Sequence, residues 1–240
     1  MSRRRHLDVA LPQGEDKVVA VRDMFDRIAP RYDLVNRVMT FRMDVGWRRR
    51  LVRDLSLPPG ALVLDLACGT GDLCRELAGA GLVPTGVDLS WGMLARARTN
   101  APLVQADILC LPVPDGAVDG ISCGFALRNV VDLGAFLDEC ARVTRPGGRL
   151  GLLEVDEPGN PLVRRGHALY FGRVVPWVGA RLSDPAAYRY LPRSAEYLPP
   201  REELLGLVRA AGFEDVEHHE LLLGAAQLVL ATRRPTGRPG

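Results

Sequence analysis

The chain has 240 residues, 31 Lys and Arg against 29 Asp and Glu for a formal charge of +2, 47% hydrophobic residues and 25% charged ones. That length suits one α/β domain with a sizeable core rather than two full domains, and the balanced composition excludes a disordered or fibrous chain. The longest uncharged run, residues 221–232, has 12 residues, short of the ~20 that span a bilayer; a pI near 8.4 with 6% aromatics argues against nucleic acid as a partner.

In chain order, residues 1–16 and 233–240 read as tails without fixed structure. Arg3-Arg4-Arg5 leads into His6 and Asp8 instead of an apolar run, so no secretory signal is expected. Five cysteines with no CxxC pair point to reduced thiols in a cytoplasm. Residues 1–60 carry 13 basic and 8 acidic side chains, a net +5, which leaves −3 on the remainder. The basic group Trp47-Arg48-Arg49-Arg50 with Arg53 reads as a solvated helix face. The alternative is a surface that leans on anionic lipid headgroups, each nearby Arg contributing about 1 kcal/mol.

The most informative stretch is LVLDLACGTGDL, residues 62–73. An apolar strand ends at Asp65, a tight turn runs through Ala67, Cys68, Gly69, Thr70 and Gly71, and a helical pattern begins. Gly69 and Gly71 permit positive φ and let a ligand meet the main chain with no Cβ in the way, against the unpaired N–H groups of a helix N-terminus. The dinucleotide fingerprint G-x-G-x-x-G is not met: Cys74 stands where the third glycine belongs, and the acid, Asp65, precedes the turn. This arrangement suits a cofactor with a cationic amino acid end and no phosphate. S-adenosyl-L-methionine has those parts, and Asp65 would attract its ammonium or hold loop N–H groups.

A second strand over 82–87 ends at Asp88 with Leu89 next, about twenty residues past the turn, where a ribose diol is gripped. Ser90 caps a helix through Met93, Leu94 and Ala97. A third strand, 103–105, leads to Ala106-Asp107-Ile108; Asp107 is placed to accept from an adenine amino group, with Ala106 and Ile108 sandwiching the ring. Three successive strands ending in carboxylates are a more specific signal than the turn alone, although each acid singly reads as a solvated loop residue.

Residues 118–124 read as a fourth strand, ending at Gly124. Asp132 caps a helix whose Leu133, Phe136, Leu137 and Cys140 recur at helical spacing; Pro146-Gly147-Gly148 stops it, and 149–155 is a fifth strand. A helical insert over 159–200, a helix over 201–211 ended by Gly212, and a hairpin of 213–223 with 227–232 follow. Parallel strands alternating with helices make a doubly wound α/β sheet, which binds ligands beyond the carboxyl ends of its strands at the switch point beside strand one. The cofactor-contacting set on this reading is Asp65, Ala67, Gly69, Thr70, Gly71, Asp88, Leu89, Asp107, Ile108 and Gly124. No cluster has zinc spacing, and His218 and His219 alternate across a strand, one toward the core and one toward solvent, so no metal is expected. Cys68 reads as a small apolar filler.

From end to end the chain then resembles the ubiquinone/menaquinone biosynthesis C-methyltransferases. The similar segments are FDRIAPRYDLVNRVMTFRMDVGWRRR (25–50), DLACGTGDL (65–73), VDLSWGML (87–94), LPVPDGAVD (111–119), FALRNV (125–130), RVTRPGGRL (142–150) and YRYLPRSAEYLP (188–199), within a resemblance covering roughly residues 18–232. It implies a class I methyltransferase (Rossmann-like) sheet, mostly parallel with an antiparallel C-terminal hairpin. It implies one domain over 17–232 with an N-terminal helical lid at 17–55, and S-adenosyl-L-methionine as cofactor. The implied substrate is a lipophilic quinol, methylated on a ring carbon, such as demethylmenaquinol; the implied place is the cytoplasm, peripheral at the inner face of the membrane, with room for a homodimer.

In this resemblance Arg128 and Asn129 follow strand four beside the cofactor's methionine end. Arg128 would stabilise a phenolate or hold a water that takes the proton, and Asn129 would hydrogen-bond the ring oxygen; the plain alternative is a loop with a surface Arg. Tyr32 would close the lid, and Tyr188 and Tyr190 would line the ring and prenyl pocket, though aromatics at that spacing as often simply pack. The chain departs from the family at Gly124, where many members have Ser, at the acids Glu154, Asp156 and Glu157 before Pro158, and at 223–228, which lacks the usual His. These departures leave the cofactor reading intact and open the acceptor. Methylation of a soluble aromatic at O or N, or cofactor binding without catalysis, are the rival readings.

Overall fold

The computed structural model describes residues 14–156, 158–174, 177, 194 and 197–235. Its strands are β1 (Leu62–Leu66), β2 (Val83–Asp88), β3 (Leu103–Gln105), β4 (Val118–Gly124), β5 (Thr144–Val155), β6 (Phe213–Leu221) and β7 (Ala226–Arg233). They form one sheet in the order β3-β2-β1-β4-β5-β7-β6, parallel except for β7, which runs antiparallel to both β5 and β6. Helices α1 (Gly14–Ile28), α2 (Tyr32–Met39) and α3 (Met43–Asp54) precede the sheet. Helices α4 (Asp72–Gly79), α5 (Trp91–Leu94), α6 (Leu133–Val143), α7 (Pro161–Leu169) and α8 (Arg201–Ala210) are interleaved with its strands.

The strands are apolar on both faces because helices cover both, as parallel sheets require. Alternate residues divide between two cores. Leu64, Leu66, Ile121, Leu150 and Leu152 pack with Phe136, Val208 and Phe213. Val63, Leu153, Leu228 and Leu230 pack with Leu51 of α3, Leu55 just past it, and Leu73 and Leu77 of α4. Register sets Asp65 opposite Gly86 on β2 and Ser122 on β4. The carboxyl ends of β1, β2, β3 and β4 therefore lie side by side, and the turns that leave them share one rim.

Several boundaries differ from expectation. The helix after Ser90 covers only Trp91–Leu94, because Arg98 N donates to Thr70 O at 3.0 Å and draws the chain back to the first turn. Strand β5 begins at Thr144, so Pro146-Gly147-Gly148 lies within the strand, beside a register shift between Val118 and Gly120. Gly14–Asp16, read as tail, belong to the first turn of α1. His218 and His219 are both half-exposed, since β6 is an edge strand; His218 Nε2 lies 3.2 Å from Gln227 Oε1 and His219 Nε2 3.2 Å from Glu217 Oε2. No helix among the described residues is long and apolar enough to cross a membrane.

Candidate active site

The rim of the sheet opens on a cleft of about 850 Å³, its mouth included. The floor and walls come from Ala67 and Gly69 after β1, Asp88 at the end of β2 with Leu89 and Ser90, Asp107, Ile108 and Leu109 after β3, and Gly124 at the end of β4 with Phe125, Ala126 and Asn129. The roof comes from Val18, Val21, Arg22 and Phe25 of α1, with Tyr32 at the start of α2. No group of three or more potential metal ligands occurs among the described residues.

The turn after β1 is shaped by positive φ at Ala67 (52°), Gly69 (56°) and Gly71 (78°). At Gly71 a Cβ would stand 2.7 Å from Thr99 Cγ2, so the glycine serves packing as well as conformation. Gly69 N donates to Asp88 Oδ2 and Ser90 N to Asp88 Oδ1, both at 2.8 Å. Burial pushes the Asp88 carboxyl up, against these bonds. A carboxylate has about four lone-pair sites, so acceptor capacity remains on a side chain that borders the cleft. Asp107, at the far end, accepts from Leu109 N at 2.9 Å.

Asp65 stands elsewhere than its motif suggests. It is 1% exposed and outside the cleft lining, with Ser122 Oγ donating to Oδ1 at 3.0 Å and Cys74 Sγ to Oδ2 at 3.2 Å. Burial raises its carboxyl to about 7. The loop N–H expected on Asp65 goes to Asp88 instead. Thr70 and Gly71 also lie outside the lining: Thr70 is buried, and its hydroxyl donates to Asp33 Oδ1 at 2.5 Å, tying the turn to α2.

Arg128 is neither a surface residue nor a free cation at the cleft. It is 8% exposed, ion-paired with the fully buried Glu154 of β5, and absent from the lining, whereas Asn129 beside it lines the cleft. The charge expected to face a phenolate is met by Glu154 within the protein. Tyr32 packs edge-on against Phe25, centroids 5.9 Å apart at 75°. Burial raises the Tyr32 phenol, outweighing the Asn36 hydrogen bond and the Arg128 and Arg48 charges that lower it, so it remains a neutral donor near neutral pH. Tyr188 and Tyr190 lie outside the described residues.

Of the basic group 48–53 only Arg48 is buried; Arg49, Arg50 and Arg53 form the solvated helix face expected, each with an acidic neighbour. Arg48 is 8% exposed, paired with Asp44 and 3.6 Å from Asp72, with its guanidinium over the Phe125 ring at 5.6 Å. Arg49 meets Glu76 at 3.1 Å, and Arg50 and Arg53 share Asp54 at 3.1 and 2.9 Å.

The helical lid expected over 17–55 names only Tyr32 and misses the other cleft-lining side chains of this segment. Val18, Val21 and Phe25 recur at i, i+3 and i+7, a legible apolar stripe whose destination is not written in its spacing. Asp26 fastens the roof: its Oδ1 accepts from Ser90 Oγ at 2.5 Å and Gly92 N at 2.8 Å. Lys17 Nζ donates to Val130 O at 3.0 Å and sits 3.7 Å over the Tyr197 ring; burial lowers its pKa to about 8.

Comparison with known proteins agrees with this geometry. The ubiquinone/menaquinone biosynthesis C-methyltransferase UbiE of Syntrophotalea carbinolica is 41% identical over 225 residues, covering 90% of this chain and 95% of that protein. The demethylmenaquinone methyltransferase of Roseiflexus castenholzii is 42% identical over 233 residues, covering 93% and 98%. Among solved structures, a SAM-dependent methyltransferase from Thermotoga maritima superposes with a TM-score of 0.64 at 22% identity, covering 89% of this chain and 99% of that one, which speaks for the fold alone. With a family model matching residues 12–233 as well, the chain belongs to the ubiE/COQ5 methyltransferase family.

Proposed function

We propose that the chain is an S-adenosyl-L-methionine-dependent C-methyltransferase acting on the ring of a polyprenylated quinol in quinone biosynthesis, with demethylmenaquinol as the acceptor. The observation that carries this reading is one cleft in which a positive-φ turn, two strand-end carboxylates and Asn129 converge beneath an apolar roof. The residues present fit the cofactor. Asp88 keeps acceptor capacity for a ribose diol, with Leu89 beside it; Asp107 and Ile108 would flank an adenine; the small residues Ala67, Gly69 and Gly124 leave room for the methionine end. Asp65, Thr70 and Gly71 act behind the lining by holding the turn.

When bound, the cofactor supplies an electrophilic methyl carbon on a sulfonium. The partner must be an electron-rich ring carbon, which a hydroquinone has and a quinone lacks. Asn129 and the neutral Tyr32 phenol hydrogen-bond the ring oxygens and orient the carbon. Val18, Val21 and Phe25 keep water from the sulfonium. Positioning of this kind supplies on the order of 7–11 kcal/mol of barrier reduction in well-aligned reactions. Tyr188 and Tyr190 are assigned to the ring and tail on the family resemblance.

A lipophilic acceptor is consistent with a cytoplasmic protein working peripherally at the inner face of the membrane. Leu34, Val38 and Phe41 of the α2 segment and Leu162 and Leu169 of α7 are exposed apolar side chains suited to that contact. A second copy of the chain is the other partner this face suits, and sedimentation with and without vesicles reads both. The experiment for the function is a labelled-methyl assay on quinone extracts of a strain lacking the protein. Label is expected in the menaquinone fraction; label confined to soluble phenols contradicts the reading.

A further inference from the structure

One acid under the cleft wall has no part in the reading above. Glu154 stands on β5 with 0% of its surface exposed. Its Oε1 accepts from Arg128 Nη1 and, at 2.8 Å, from Val155 N; its Oε2 accepts from Arg128 N at 3.3 Å. One carboxylate thus holds both the side chain and the backbone of a residue 26 positions away. That residue lies in the 3₁₀ turn Leu127–Asn129, whose last member lines the cleft.

The turn is tethered a second time just ahead of Arg128. Phe125 N donates to Leu153 O at 2.7 Å, and Phe125, itself cleft-lining, holds φ at 60°. A bulky residue in that region persists only where its surroundings over-determine it. Both tethers come from consecutive residues of β5, Leu153 and Glu154. Burial alone does not require an ion pair here, since an apolar pair of similar volume serves stability as well or better. Arg128 also keeps Nε without a hydrogen-bond partner, which apolar packing would avoid. What the carboxylate adds is direction: a charge-assisted bond to Nη1 and a second bond to the backbone N of the same residue fix where that backbone sits.

We propose that Glu154 is a positioning residue for methyl transfer: through Arg128 it fixes the turn Leu127–Asn129 and so holds Asn129 against the acceptor ring. This rests on the methyltransferase reading given above.

The test compares wild type, Glu154→Gln, Asn129→Ala and the double variant in the full chain, with labelled cofactor and chemically reduced demethylmenaquinol. Wild-type turnover in the same assay reads the substrate assignment separately, so the variants report on Glu154 alone. Glu154→Gln is expected to lower kcat about 10- to 100-fold, the scale of a misplacement near 1 Å, while KM for the cofactor moves less than ~3-fold. If Glu154 acts through Asn129, the two losses are not additive, and the double variant falls within ~3-fold of Asn129→Ala. Multiplying losses, or a kcat within ~3-fold of wild type in folded Glu154→Gln, overturn the proposal. Arg128→Met with Glu154→Leu keeps the test open where the single variant fails to fold. This pair is expected to melt near wild type with kcat at least ~10-fold down. Wild-type kcat in it shows that packing suffices and overturns the proposal.

Discussion

Two of the aspartates at the ends of successive strands, Asp88 and Asp65, have different fates, decided by what each meets. Asp88 holds the turn through Gly69 N and keeps lone pairs at the cleft. Asp88→Ala is expected to weaken cofactor binding by about 1.5–3 kcal/mol, one charge-assisted contact; calorimetry at wild-type affinity would remove Asp88 from the ribose site. Asp65 is closed off by Ser122, 57 residues away, and Cys74. Its carboxyl is raised from 3.8 to about 7 by burial. The unfolded chain releases this proton near pH 4 and the folded one near 7, so the folded state binds more protons between, and stability falls as pH rises through that window by roughly 4 kcal/mol in all. Asp88, also raised, adds to the same slope. Asp65→Asn should flatten the fall in denaturation midpoint between pH 5 and 8; an unchanged profile would show that Asp65 does not titrate there. Arg128→Ala strands the Glu154 carboxylate without its counter-ion and should cost about 3–5 kcal/mol of unfolding free energy, read by urea denaturation. The strand-end acids were legible in the sequence as acids at strand ends. Which lone pairs stay free was not, because the deciding partners are distant in the chain.

The elements followed their local signals where the signal was local. Apolar runs gave the strands, and Ser90 and Asp132 cap their helices as expected, accepting from Met93 N and Ala135 N. The errors sit where a remote contact overrides the pattern: α5 ends early because of Thr70, and Arg48 leaves the surface because Asp44 and Asp72 surround it. Helix α1 is a mixed case: a lid over 17–55 was expected from the resemblance, but not that Val18, Val21 and Phe25 are the side chains that border the cleft. Asp26 decides how firmly that roof is held, with two hydrogen bonds to the start of α5. Gly92 lets the helix come that close, as a Cβ there would lie 2.8 Å from Asp26 Cα. Asp26→Ala should speed cofactor release about 10-fold, the equivalent of one net hydrogen bond at ~1.5 kcal/mol, with little change in melting temperature. Stopped-flow release at the wild-type rate would mean that the Asp26 contacts do not hold the roof over the bound cofactor.

For the molecule as a whole, the sheet order brings the carboxyl ends of β1, β2, β3 and β4 to one cleft, and the family match extends over residues 12–233. The account then turns on the electronic state of the acceptor. A ring carbon attacks a sulfonium methyl only with the electron density of the hydroquinone. The direct measurement is single-turnover transfer of a labelled methyl group to demethylmenaquinol, held reduced with dithionite, against the same compound left oxidised, with the methyl located by NMR. The account predicts product from the reduced form alone, with the new methyl on a ring carbon. Equal rates from both forms, or a methyl on oxygen, would contradict it.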